Sequence, residues 1–246
     1  MDLQISVLGD RPDLFGPMWR MRTSWPEFML HDPIGNLYYS LAEQFADYVL
    51  VAQDPDGNVV AKAFSAPFQL AGEEFFDDGW DGVMRRAVRT LVSGDKPDTI
   101  SAVEISIRPD LQGGGLSRQM LAAMRANAGR RGFTELWAPV RPNGKQDPSL
   151  PMTDYAFRVR EQDGLPVDPW LRVHVRAGAE IVRVAPRSMV IPGTLAEWRR
   201  WTGLPFDRSG AVEVPFALAP VMVDVEHDHA VYVEPNVWVR HKIAGQ

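Results

Sequence analysis

The sequence predicts a mixed α/β fold, a central sheet flanked by helices, and three observations carry that reading. Residues 47–66 read as a β-hairpin: Tyr48, Val49, Leu50 and Val51 are strand formers, Asp54-Pro55-Asp56-Gly57-Asn58 is a turn, and Val59 to Ala66 returns. Residues 99–140 alternate strand, glycine-rich turn, helix and strand, the pattern of a βαβ-like unit. The last quarter holds four strand-like runs, at 212–218, 221–225, 230–233 and 237–240.

Taken in order, Leu3 to Leu8 alternates apolar and polar residues as a short strand does. Pro12 to Met21 and Tyr38 to Ala46 have helical spacing, with a Pro- and Gly-bearing loop from Trp25 to Gly35 between them. The acidic stretch Glu73 to Gly82 reads as an exposed loop. A helix follows over 83–92, with Val83, Ala87, Val88 and Leu91 on one side. Thr99 to Ile107 is a strand. In the helix after the glycines, Leu116, Met120, Leu121, Met124 and Ala128 form one apolar stripe, Arg118 and Arg125 face away, and Gly132 is the stop. Thr134 to Val140 is the next strand. The Pro-rich stretch 141–168 is too long for a simple connection and reads as a functional loop. A short helix at 169–177, a strand at 180–191 and a Trp-bearing helix at 194–201 lead into the C-terminal strands. The whole chain, 1–246, reads as one elaborated domain, with a core over about 1–192 and a C-terminal extension over about 193–246.

Composition narrows the class. The formal net charge is -6, so no overall basic bias draws the chain to nucleic acid or to an anionic membrane. There is no cysteine, which excludes disulfides, thiolate metal sites and a cysteine nucleophile. The segment Met-Asp-Leu-Gln-Ile-Ser has neither a basic flank nor an apolar run, and no stretch approaches the ~20 apolar residues of a membrane span. A cytoplasmic protein is the expectation. His227-Asp228-His229 has paired imidazoles but no third ligand at a recognisable spacing, so it reads as a polar turn and no metal site is expected.

The chemistry centres on Ile105 to Ser117. Glycines before a helix N-terminus let the backbone approach an anion, and the unpaired N–H groups there favour a phosphate. Spacing tests which phosphate. A P-loop fails at Gly144-Lys145, because Pro139 stands where its first glycine belongs and Gln146 follows. The dinucleotide fingerprint fails because Arg118 occupies its third glycine.

Gln112-Gly113-Gly114-Gly115-Leu116-Ser117 resembles the pyrophosphate-binding turn of the GNAT acetyltransferase superfamily, [QR]-x-x-G-x-[GA], with Ser117 at the last small position. The preceding strand, Pro109 and the following amphipathic helix match that family's central segment, over residues 47–191 in all. The resemblance implies a mostly antiparallel sheet with splayed parallel strands, and acetyl-CoA or another acyl-CoA as cosubstrate. It implies that Ile105, Ser106 and Ile107 pair with the pantetheine arm, and that the main chain of Gln112, Gly113, Gly114, Gly115, Leu116 and Ser117 holds the pyrophosphate.

Acyl transfer to an amine needs a base and a proton for the departing thiolate. Glu104 is the one acidic residue of the strand; the resemblance implies it as the base, and, since it alternates with Ile105 and Ile107 only in part, a solvent-facing strand glutamate is the competing reading. The family's proton donor is a Tyr four residues before a Gly; counting back from Gly178 gives His174, a departure. A core histidine is the competing reading of His174, and Tyr155 in the long loop is the substitute donor. Trp25, Phe28, Trp80, Tyr155 and Trp170 are candidates to shape an acceptor pocket. The resulting expectation is an N-acyltransferase acting on the amine of a small molecule. The alternative is an acyl-CoA-binding sensor or interaction module without amine transfer.

Overall fold

The computed structural model describes residues 3–72 and 75–243. The expected acidic loop thus falls partly outside the described residues, at Glu73 and Glu74, as does the start of the N-terminal segment, Met1 and Asp2. The fold is α/β, a mostly antiparallel sheet flanked by helices. Its strands are β1 (Gln4–Val7), β2 (Val49–Gln53), β3 (Val59–Phe68), β4 (Thr99–Ile107), β5 (Glu135–Val140), β6 (Ala179–Gly193), β7 (Gly210–Val212), β8 (Val221–Asp224) and β9 (His229–Lys242). The helices are α1 (Phe15–Arg20), α2 (Pro33–Ser40), α3 (Gly79–Ser93), α4 (Leu116–Arg130), α5 (Met152–Ala156), α6 (Pro169–Arg176) and α7 (Leu195–Thr202). The sheet runs β1-β2-β3-β4-β5-β9-β8-β7, with β6 also paired to β9.

The hairpin forms as its turn residues dictate. Asp54 Oδ1 accepts from the amides of Asp56 and Asn58, and Gly57 supplies φ 82°. The stripe on α4 is buried at all five positions, Leu116, Met120, Leu121, Met124 and Ala128. It packs on the inner faces of β2, β3 and β5 in one core, and α3 and α7 cover a second core. Each such Leu or Met contributes about 1.5–3 kcal/mol.

Several boundaries differ from expectation, each for a local reason. The second helix is α2, starting at Pro33 rather than Tyr38. Asp32 caps it through the amides of Ile34 and Gly35, and Pro33 suits the first turn. Residues expected in the exposed loop, Gly79 to Gly82, form the buried first turn of α3; a Cβ at Gly79 would stand 2.2 Å from the Ser188 hydroxyl oxygen. The long loop contains α5 and a bridge from Val159 to Pro166. Only Gly210–Val212 of the expected 212–218 run is strand. The last two runs merge into β9 across Pro235. There β9 changes partner from β5 to β8, and β6 bulges between Ala185 and Met189, so no partner needs the N–H that Pro235 lacks. His227, Asp228 and His229 lie at the β8–β9 turn.

β4 and β5 are parallel and meet at one registered pair, Ser101 with Trp137. Beyond it, β4 stays on β3 as far as Ile107 and β5 stays on β9 as far as Val140. The two strands therefore splay, and the β5-facing edge of 102–107 is left without a strand partner.

Candidate active site

The splay opens a cleft of about 1440 Å³. Its walls include β4 from Ala102 to Ile107, β5 from Ala138 to Val140, the glycine turn, Trp170, Val173 and His174 of α6, and the stretch 213–218.

The turn is built to present amides. Gly113 and Gly115 both sit at φ 80°, where glycine alone pays no steric cost, and a Cβ at either would meet nothing within 4 Å. Among the described residues, the amides of Gly113 to Ser117 donate to no main-chain carbonyl; the first helical bonds close from Arg118 and Gln119 onto Gly115. Open amides at the start of a 15-residue helix suit a phosphate. The Gln112 side chain donates to Ser24 at 2.9 Å, which ties the turn to the segment before α2.

Glu104 is buried on the face of β4 that looks toward α2. A bulge places it there: Phe64 pairs with Glu104 and Ser65 with Ala102, so Val103 is extra and the alternation breaks at that point. Its carboxylate accepts from the Tyr39 hydroxyl at 2.5 Å and the Ser106 hydroxyl at 2.5 Å, and the Lys62 ammonium stands 3.9 Å away. Trp25 N–H donates to the Ser106 hydroxyl oxygen at 3.2 Å. Burial, and then the Glu104 charge, push the Tyr39 phenol well above its ordinary range, so it remains a donor. With two hydroxyls and an ammonium around it, the carboxylate is held in one orientation and retains lone pairs for a further proton.

His174 lines the cleft but is bonded on its other side. Its Nδ1 lies 2.9 Å from Nε2 of His241 in β9, and its Nε2 is buried with no hydrogen-bond partner among the described residues. Burial, then the neighbouring His241, pull it down to about 3. It is a neutral imidazole near pH 7, not the imidazolium a histidine acid would need.

Tyr155 is not brought to the cleft. Its hydroxyl donates to Asp168 Oδ2 at 3.0 Å, and the same oxygen accepts from the Gly144 amide while Oδ1 caps α6. Its place is an anchor for the long loop. Of the aromatic candidates, Trp25, Trp80 and Trp170 line the cleft. Phe28 packs instead in the core against Trp198 and Tyr232.

Sequence reasoning missed the acidic end of the cleft. Asp32, Glu234 and Asn236 lie in its wall. Arg141 and Tyr232 donate to Glu234 Oε2, and Asn236 donates to Oε1. Asp81 of α3 is a neighbouring buried carboxyl, pushed up to about 8 by burial first and then by the Asp32 charge. The strand junction at Pro235 aims Glu234 and Asn236 inward, and no linear motif announces that. Tyr39, Lys62 and His241 were missed for the same reason: tertiary pairing brings them in.

No protein-family profile matches the chain. A curated relative, arginine N-acetyltransferase avaD of Aspergillus versicolor, is 32% identical over 265 residues, covering 95% of this chain and 91% of the relative. The chain belongs to the GNAT acetyltransferase superfamily. Solved structures agree on the GNAT fold. The loading GNATL domain of CurA from Lyngbya majuscula superposes with a TM-score of 0.58 at 16% identity, covering 98% of this chain and 97% of that one. The GphF GNAT-like decarboxylase in complex with isobutyryl-CoA gives a TM-score of 0.55 at 16% identity, covering 99% and 100%. At that identity these two bear on fold alone. GNAT membership places acyl transfer as the general chemistry. No helix among the described residues is long and apolar enough to cross a membrane.

Proposed function

We propose that the chain is an N-acetyltransferase that moves the acetyl group of acetyl-CoA to the amine of a small molecule. The observation that carries this is the splay of β4 and β5, which puts an unpaired strand edge, five open turn amides and a buried, hydroxyl-held carboxylate along one cleft. When bound, an acyl-CoA supplies an activated thioester. The open edge of Ile105 to Ile107 would hold its amide-bearing arm, and the amides of Gly113 to Ser117 its pyrophosphate. The GphF complex with isobutyryl-CoA, of the same fold, supports an acyl-CoA as the occupant.

Glu104 then has one task. An amine attacks as the neutral base and must shed a proton, and the Glu104 carboxylate is the cleft's candidate acceptor, held by Tyr39 and Ser106. His174, a neutral imidazole in the cleft wall, is the donor candidate. The wall also carries the Asp32 carboxylate, which suits an amine borne on a cationic molecule, whereas Glu234 is already ion-paired with Arg141. Arginine is the first acceptor to try, because the relative is named for it.

The test is thiol release from acetyl-CoA with arginine and a panel of other amines, for wild type and Glu104→Gln. The expected result is amine-dependent release that falls about 10²–10⁴-fold in the variant, the range for losing a general base. Tight CoA binding without any Glu104-dependent turnover would instead make the chain an acyl-CoA-binding module.

A further inference from the structure

Lys62 is a charged group of the cleft to which acyl transfer by Glu104 gives no task. It stands on β3 opposite Ser106 of β4, two positions from the Phe64–Glu104 pair, so the side chains of Lys62, Ser106 and Glu104 share one face of the sheet. Lys62 is 5% exposed and lines the cleft. Its Nζ lies 3.9 Å from Glu104 Oε1, 4.8 Å from the centre of the Trp19 ring and 5.6 Å from that of Phe64. It makes no hydrogen bond among the described residues.

A buried ion pair that serves stability closes to hydrogen-bond distance and satisfies its remaining donors. This pair does neither. The Glu104 oxygens take hydroxyl donors instead, Ser106 on Oε1 and Tyr39 on Oε2. The Trp19 and Phe64 rings attract the ammonium but offer it no oxygen. Three N–H donors on a nine-tenths-buried ammonium call for an oxygen acceptor, and the cleft is where one can enter. Sheet order says which substrate brings it. The acyl donor belongs to the β5-facing edge of β4, whereas Lys62 comes from β3, on the other side of β4. An acceptor whose amine meets Glu104 therefore extends over β3, toward Lys62. The 3.9 Å spacing limits how far its oxygen lies from its amine. In an α-amino acid one carbon joins amine and carboxylate, and standard bond lengths keep the nitrogen and the nearer oxygen roughly 3 Å apart. Such a pair spans Glu104 and Lys62 with two charge-assisted hydrogen bonds of about 2.8 Å.

We propose that Lys62 binds the carboxylate of the acceptor, so that the acceptor is an α-amino acid and the group acylated is its α-amine. This rests on reading the cleft as an acyl-transfer site. In that reaction the N–C bond forms and the C–S bond breaks with its electron pair on sulfur. The amine proton passes to Glu104, and solvent later protonates the thiolate. Lys62 gives up no proton. With amine and carboxylate held at β3 and β4, the acceptor's own side chain is left to the rest of the cleft, where Asp32 suits a cationic one.

Two pairs of amines that differ only by a carboxylate test this: L-arginine with agmatine, and L-phenylalanine with phenethylamine. Each is measured by thiol release from acetyl-CoA and by calorimetry on the CoA-loaded protein. In at least one pair, wild type should favour the amino acid about 10–100-fold in kcat/KM and in affinity, the range for one charge-assisted hydrogen bond. Lys62→Met should bring that ratio to within a few-fold of one, and Lys62→Arg, which keeps a cation, should retain most of it. Because a ratio is read, any effect of the variants on Glu104 itself cancels. NMR of the product should find the acetyl group on the α-nitrogen. No preference for the amino acid of either pair in wild type, a preference that survives Lys62→Met, or a product acetylated elsewhere overturns the proposal; Glu104-dependent turnover would still leave the transfer reading standing. Carboxylate-dependent binding that Lys62→Met abolishes, without turnover of any amine, sinks the transfer reading and leaves the carboxylate site in place.

Discussion

The Tyr39 hydroxyl donates to the Glu104 carboxylate at 2.5 Å, across 65 residues of chain, from a helix that Asp32 starts and Pro33 shapes. A charge-assisted bond of this kind contributes about 1.5–3 kcal/mol. Tyr39→Phe keeps the ring against Trp19 and Phe64 and removes only the hydroxyl. We expect kcat to fall about tenfold, since a mispositioned base loses part of its 10²–10⁴-fold contribution. The KM for acetyl-CoA should stay put, because the glycine turn is untouched. Steady-state kinetics decide it; an unchanged kcat would mean that the orientation of Glu104 does not limit the rate.

Gly115 and Gly132 make a matched pair at the two ends of α4. Both hold positive φ, 80° and 87°, and a Cβ at either meets nothing within 4 Å. An L residue at such a position costs about 1–2 kcal/mol. Ala at either site should therefore lower stability by a similar amount in urea unfolding. Their ligand effects should part: Gly115→Glu places an anion in the cradle and should weaken CoA binding at least ~100-fold by calorimetry, about 3 kcal/mol, while Gly132→Glu leaves it unchanged. Equal CoA affinity in both variants would remove the cradle from the argument.

How much of this was legible before the structure divides by the range of the interaction. The turn, α4 and β4 were placed to the residue at most ends, because a run of glycines, a capped stripe and a β-branched strand are local signals. α2 was misplaced because its cap, Asp32, lies inside a stretch rich in Pro and Gly that reads as loop. Asp32 lies over 200 residues before Glu234 and Asn236 and meets them only because β9 changes partners at Pro235. Glu104 was named, yet its direction was not readable, since a bulge at Val103 breaks the alternation that would have told it. Tyr155 and His174 show the limit of residue type as evidence. Both can donate a proton in principle; one is committed to Asp168 and the other is neutral beside His241.

Tyr155→Phe separates those two outcomes. Its hydroxyl completes a set of four donors on Asp168, with the amides of Gly144, Trp170 and Leu171. Losing it should cost about 1 kcal/mol of stability. Turnover at saturating substrate should remain within a few-fold of wild type. A hundredfold loss of kcat with intact stability would return Tyr155 to the chemistry.

The Asp32–Asp81 pair should make stability depend on pH in an unusual direction. Asp81 holds its proton up to about 8 in the folded chain, against an ordinary 3.8, because burial and the Asp32 charge both disfavour a second anion. The unfolded chain releases that proton near 4. Stability from the protonated pair is thus full below about 4 and is lost as pH rises toward about 8. Asp81→Asn keeps an oxygen for the Val190 amide, which Asp81 Oδ2 accepts at 3.1 Å, and offers Asp32 an N–H in place of the carboxyl proton. The variant should match wild type near pH 4 and exceed it by at least about 1 kcal/mol at pH 9, where wild type has lost the shared proton. Urea unfolding at the two pH values measures the difference. A gap that does not widen with pH would show that the two carboxyls do not share a proton in the folded chain.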